Sequence, residues 1–178
     1  NFFDGLTEVE KIELQDNKIS HLPMNLFKDL TKLKEIDLSI NNLKVLPKEI
    51  FQFNKKLEKI DLRDNQIEEI PSNFFAGLTE VEVLGLSNNK ISHLPTNLFK
   101  DLTKLREINL ESNNLTVLSK EIFQFNKNLD RIDLRRNQLE KIDEELFDGM
   151  ENLKYVGLEE NKCIDKYFGR WLSTVKLN

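Results

Sequence analysis

Seven asparagines, Asn17, Asn41, Asn65, Asn89, Asn113, Asn137 and Asn161, stand at an unbroken interval of 24 residues. A fixed interval of roughly 20–50 residues restricts a chain to a solenoid, in which each unit buries its apolar side only against its neighbours. A longer repeat lies over the first: residues 1–72 recur as residues 73–144, with 51 of 72 positions identical. Such a chain is organised to display a surface rather than to enclose a catalytic pocket.

Apolar residues keep fixed offsets from each asparagine. Before Asn65 come Leu57, Ile60 and Leu62; after it come Ile67, Ile70, Phe75 and Leu78, with Pro71 directly after Ile70. The pair Ile60/Leu62 has the period of two of a short strand whose alternate side chains face inward. Strands 24 residues apart can lie side by side only if parallel, joined by crossovers expected to wind right-handed. Asparagine suits the corner after the strand, because its amide both donates and accepts and can satisfy backbone groups that no strand reaches. Phe27, Phe51, Phe75, Phe99, Phe123 and Phe147 recur on the opposite side and are expected to stack as packing, not to line a ligand box. Asn54 and Asn126 occupy the positions of Leu30, Leu78 and Leu102, so Phe53 and Phe125 are expected to replace the lost packing.

Written as Leu105, Ile108, Leu110, Asn113, Leu115, Leu118 and Phe123, the pattern resembles the typical 24-residue leucine-rich repeat of extracellular proteins, and it covers residues 1–162. The chain is similar to secreted arthropod leucine-rich repeat proteins. That resemblance implies an α/β fold: a right-handed horseshoe solenoid with a parallel concave β-sheet and an irregular or short-helical convex side. It further implies a secreted or extracellular protein-recognition module, as in receptor ectodomains, immune factors, adhesion and matrix proteins. Ser119 and Asp143 replace the usual proline, which is expected to loosen those turns.

Phe2 and Phe3 correspond to Phe74 and Phe75, so the chain opens in mid-repeat without a cysteine-rich cap, as expected of a fragment. The strand around Ile12 and Leu14 would then be an open edge. Residues 163–178 are expected to form a capping segment. The spacing of Tyr167, Phe168, Trp171, Leu172 and Val175 suits a short amphipathic helix with Asp165 as its N-cap. Cys163, the single cysteine, reads as a small buried hydrophobe or as half of a disulfide with a partner beyond Asn178. Resemblance to the family's C-terminal flank favours the disulfide.

Each strand is expected to expose five positions on its concave side, such as Lys34, Glu35, Asp37, Ser39 and Ile40 in the second unit. Across the three duplicated units 11 of these 15 positions differ between copies, against 10 of the remaining 57. Exposed convex stretches did not drift: residues 25–33 recur unchanged as 97–105, and 48–55 as 120–127. Differences gathered on one face read as retuning of a recognition surface. The candidate binding residues are Asp37, Ile40, Asp61, Arg63, Val83, Ser87, Asn88, Arg106, Asn109, Glu111, Arg131, Arg135, Arg136 and Tyr155. Glu13, Asp37 and Asp61 form an acidic file that favours a basic partner. Arg131, Arg135 and Arg136 with Tyr155 are residue types enriched at interface hot spots. Val83, Gly85, Ser87 and Asn88 make a small, nearly neutral patch. The alternating column Glu82, Arg106, Asp130 and Lys154 reads as sheet alignment by opposite charges.

The five columns carry 15 acidic and 9 basic residues, and the whole chain carries a net −5, which argues against nucleic acid, whose phosphates need a basic stripe. No apolar run approaches the ~18–20 residues of a membrane span, so no direct membrane insertion is expected. A row of carboxylates on a sheet does not converge as a hard metal requires. No nucleophile–base pair, metal-ligand spacing or phosphate loop occurs, so neither catalysis, nor a metal, nor a cofactor is expected. Asn114-Leu115-Thr116 is a candidate glycosylation sequon. The reading is an extracellular module that binds a protein on its concave face, in innate immunity or cell-surface signalling. The alternative is a structural, self-assembling solenoid that docks end to end through open repeat ends.

Overall fold

The computed structural model describes residues 2–143 and 145–162; the expected capping helix and Cys163 lie outside them. Seven short strands follow one another: β1 (Lys11–Glu13), β2 (Glu35–Asp37), β3 (Lys59–Asp61), β4 (Val83–Gly85), β5 (Glu107–Asn109), β6 (Arg131–Asp133) and β7 (Tyr155–Gly157). They form one parallel sheet in chain order, each residue paired with the one a repeat away, as in Ile60↔Leu84 and Leu84↔Ile108. Backbone bonds continue past the strands, with Leu14 N–H donating to Asp37 O at 2.8 Å and Asp16 N–H to Ser39 O at 3.1 Å. The central residue of each strand and the leucine two positions on point inward, into one continuous apolar core running from Phe3 to Leu158.

The asparagines work as expected. Asn89 Nδ2 donates to Leu86 O at 3.1 Å and Ser87 O at 3.2 Å in its own turn, and to Leu62 O at 3.0 Å in the turn before. Its Oδ1 accepts from Ile67 N–H at 3.0 Å. One buried side chain thus closes four backbone groups at the corner, the accounting a buried turn demands.

The phenylalanine spine forms on the opposite side, with Phe27 and Phe51 stacked at 5.9 Å and Phe99 and Phe123 at 5.9 Å. Between them Phe51 meets the edge of Phe74 at 5.5 Å. Of the irregular or short-helical convex side expected, the irregular form is the one present: among the described residues turns, not helices, make up this side. Each segment holds only a few local bonds, such as Leu98 N–H to Pro95 O and Leu102 N–H to Phe99 O, before the next strand begins. That length is too short to repay the cost of nucleating an α-helix.

Two packing expectations are corrected. Phe53 and Phe125 do not pack inside: they are 49% and 51% exposed. Asn54 and Asn126 fill the inward positions themselves, Asn54 Nδ2 donating to Phe27 O and Leu30 O of the preceding turn, both at 2.9 Å. Ser119 and Asp143 do not loosen their turns. Ile122 N–H reaches Ser119 O at 3.0 Å and Leu146 N–H reaches Asp143 O at 3.1 Å, as Leu98 N–H reaches Pro95 O at 2.9 Å. Their side chains supply the constraint that proline would have given: Ser119 Oγ accepts from Glu121 N–H at 3.3 Å, and Asp143 Oδ1 from Glu145 N–H at 3.0 Å.

Candidate recognition face

Register places all fourteen candidate residues on the outer face of the sheet or at the turn that ends it. The face is less uniform than five exposed columns would make it. Residues of the third column turn back on their own chain: Asp37 Oδ1 accepts from Ser39 N–H at 2.9 Å, Asp61 from Arg63 N–H at 3.2 Å, Asn109 from Glu111 N–H at 2.9 Å and Asp133 from Arg135 N–H at 3.3 Å. This Asx bond lays the side chain flat across the sheet. Asp61 and Asp133, which lie over Gly85 and Gly157, are buried, whereas Asp37 and Asn109 are partly exposed; Ser39 and Ser87 in the fourth column are also buried. The acidic file is therefore partly structural, Asp37 also taking the Ser39 hydroxyl at 2.6 Å. Burial pushes the Asp61 carboxyl above its ordinary pKa, an effect that its contacts with Arg63 only partly offset.

The fifth column, immediately before each ladder asparagine, is left-handed throughout: Asp16, Ile40, Asp64, Asn88, Ser112, Arg136 and Glu160 have φ between 53° and 58°. Aspartate and asparagine tolerate that conformation, whereas a β-branched side chain there is strained. Ile40 is that case, and it is 48% exposed. Conformation and exposure here run against both stability and solubility.

The arginine corner is heavily self-paired. Arg135 binds Asp133 at 2.7 Å and Glu111 at 3.1 Å; Arg136 contacts Glu111 at 3.6 Å and Glu160 at 3.2 Å. Arg131 lies 3.8 Å over the Tyr155 ring. The Asp133 carboxylate raises the Arg135 pKa and holds its guanidinium firmly charged. In the alternating column Arg106 pairs with Asp130 at 3.3 Å, and the column lines a groove of about 360 Å³ together with Lys104, Asn128 and Asn152. Asn114 is exposed at its turn. Val83, Gly85 and Ser87 leave β4 low at the middle of the sheet, between the charged rows of β3 and β5. The pairing of Gly85 with Asp61, and of Gly157 with Asp133, escaped the sequence reading. Its only signal was an aspartate followed one repeat later by glycine, occurring twice.

The leucine rich repeat family model matches residues 7–67, 55–115 and 103–162. The chain belongs to the leucine-rich repeat family, whose fold is generally a protein-interaction module. Comparison with curated protein sequences gives no match. Among solved structures it is similar to a leucine-rich repeat protein of Leptospira interrogans, at 33% identity and TM-score 0.80 over 88% of this chain and 38% of that one. It is similar to TLR13 in complex with ssRNA13, at 27% identity and TM-score 0.73 over 90% and 26% of the two chains. The internalin InlF of Listeria monocytogenes shares the fold at 19% identity and TM-score 0.75, over 89% and 43%. The chain spans less than half the length of each.

Proposed function

We propose that the outer sheet face is an extracellular protein-recognition surface, acting in immunity or cell-surface signalling. The supporting observation is the distribution of change between the two 72-residue copies: 11 of 15 outward strand positions differ, against 10 of 57 elsewhere. The 15 positions belong to β1 to β3, to the residue before each strand or to the turn that ends it, and these strands lie side by side in one sheet. Drift alone would have marked the exposed turns of the other side equally, yet residues 25–33 and 48–55 are repeated unchanged. The extracellular setting follows the resemblance of the repeat pattern and suits an exposed sequon at Asn114. TLR13 is solved with an RNA, but the acidic excess of this face disfavours a phosphate backbone. Hydrogen–deuterium exchange of the chain with a bound protein is expected to protect β1 to β7. Protection restricted to the phenylalanine side would refute the proposal.

A further inference from the structure

An aspartate in the third column, followed one repeat later by glycine, occurs as Asp61 with Gly85 and as Asp133 with Gly157. In both places the carboxylate lies across the glycine. Asp61 Oδ1 stands 2.9 Å from where a Cβ on Gly85 would lie, and Asp133 Oδ1 stands 2.8 Å from the same point on Gly157. These are two equivalent notches in the sheet, and the chain treats them differently.

At β6/β7 the chain fills the notch itself. Arg135 holds Asp133 through Nε at 2.8 Å and a terminal nitrogen at 2.7 Å, and Arg131 adds a contact at 3.5 Å. The Tyr155 hydroxyl and Arg135 Cγ close over Gly157, 2.7 and 3.0 Å from the Cβ point. Asp133 is left 1% exposed.

At β3/β4 the same parts are weaker or replaced. Arg63 is the one described residue in an ion pair with Asp61, through a single 3.2 Å contact, and its side chain stays half-exposed. Lys59 stands where Arg131 stands, and Val83 where Tyr155 stands. The three atoms nearest the Cβ point of Gly85 all belong to Asp61. Asp61 is nonetheless only 7% exposed. At β1, Lys11 and Glu13 occupy the positions of Val83 and Gly85 and pair with each other at 2.8 Å.

We infer that the β3/β4 notch is a subsite for an arginine side chain of a protein partner, seated on Asp61 as Arg135 is seated on Asp133. The guanidinium supplies the planar fork that a flat-lying carboxylate accepts, which an ammonium lacks. Its aliphatic stem covers Gly85 and Val83, as Arg135 Cγ and Tyr155 cover Gly157. The inference deepens the proposed docking role and rests on it only for the partner being a protein.

The test uses the isotope-labelled chain titrated with N-acetyl-arginine methylamide, followed by backbone amide NMR, with the lysine analogue alongside. Expected are saturable shifts at Gly85 and Arg63 with little movement at Gly157, and binding of the lysine analogue weaker by about threefold or more. Asp61→Asn is expected to weaken arginine binding roughly tenfold; Asn109 holds the same column position, so the variant keeps the Asx bond. The pair Lys59→Arg with Val83→Tyr rebuilds the filled notch around an intact Asp61 and is also expected to abolish the shifts. Equal shifts at Gly85 and Gly157, or arginine binding undiminished in both variants, overturns the inference. Failure of the sheet face to bind any protein, with the Gly85 response intact, leaves the notch standing and removes the docking role instead.

Discussion

Asn89 measures how much one side chain carries in this fold. Its amide meets three carbonyls and one N–H: the carbonyls are shared with Asp64 N–H at 2.9 Å, Asn113 Nδ2 at 3.0 Å and Asn65 Nδ2 at 3.2 Å, whereas the Ile67 N–H bonds to Asn89 Oδ1. Asn89→Ala is expected to cost about 1–3 kcal/mol, since it leaves the buried Ile67 N–H unpaired while the carbonyls each keep one donor. Chemical denaturation measures it, and a loss below ~1 kcal/mol would show that the corner is not held this way. Ile40 runs in the opposite direction. Its φ of 54° is costly for a β-branched residue, so Ile40→Asn is expected to gain about 1 kcal/mol in the same assay. A drop in stability would mean that the exposed side chain packs more than it strains. Asp61 links the face to pH. Its folded pKa is raised by burial, so the stability it confers is full below the ordinary carboxylate pKa and is lost as pH rises through the raised value. Asp61→Asn has no such loss, and its Tm relative to the parent should rise between about pH 3 and pH 7. A Tm difference that does not change with pH would contradict the assignment of burial as the dominant cause.

At the level of elements, the contrast between the two phenylalanine positions tests the packing. Phe99→Ala removes a ring from the buried stack and is expected to cost about 3–5 kcal/mol, whereas half-exposed Phe125→Ala should cost under ~1 kcal/mol. Similar losses at both would restore the sequence expectation that Phe125 is core. That expectation went astray because Asn126 looked unable to fill a leucine position, yet it does so by donating to Phe99 O and Leu102 O at 2.9 and 2.8 Å. The strands were legible because the Ile60/Leu62 alternation recurs seven times in register. The outer segments were not, since the six residues between Pro71 and Leu78, or between Pro95 and Leu102, fit a helical turn and an irregular one equally. Ser119 shows a related blind spot: composition reports a missing proline, while the hydrogen bond that replaces it depends on side-chain geometry.

For the molecule as a whole, the duplication made the candidate site readable. Two copies in one chain act as an internal comparison, and their differences are concentrated on the sheet face, 11 at 15 outward positions against 10 at the other 57, before any coordinate is known. What they could not convey is which outward residues are spent internally. Arg131, Arg135 and Arg136 look like a free basic corner in sequence, yet each is engaged by carboxylates of its own or neighbouring turns. Asp61 looked like one acid in a file, and only its position over Gly85 sets it apart. The open centre at β4 and the closed corner at β6/β7 divide a face that the sequence presented as continuous. The most direct measurement of the central claim is the affinity of a bound protein before and after β1 side chains are grafted onto β4 and its following turn, as Val83→Lys, Ser87→Gln and Asn88→Asp. The account predicts an affinity loss of about tenfold or more with the fold retained. Unchanged affinity in the graft, together with a loss on Phe53→Ser and Phe125→Ser, would place recognition on the other side and contradict it.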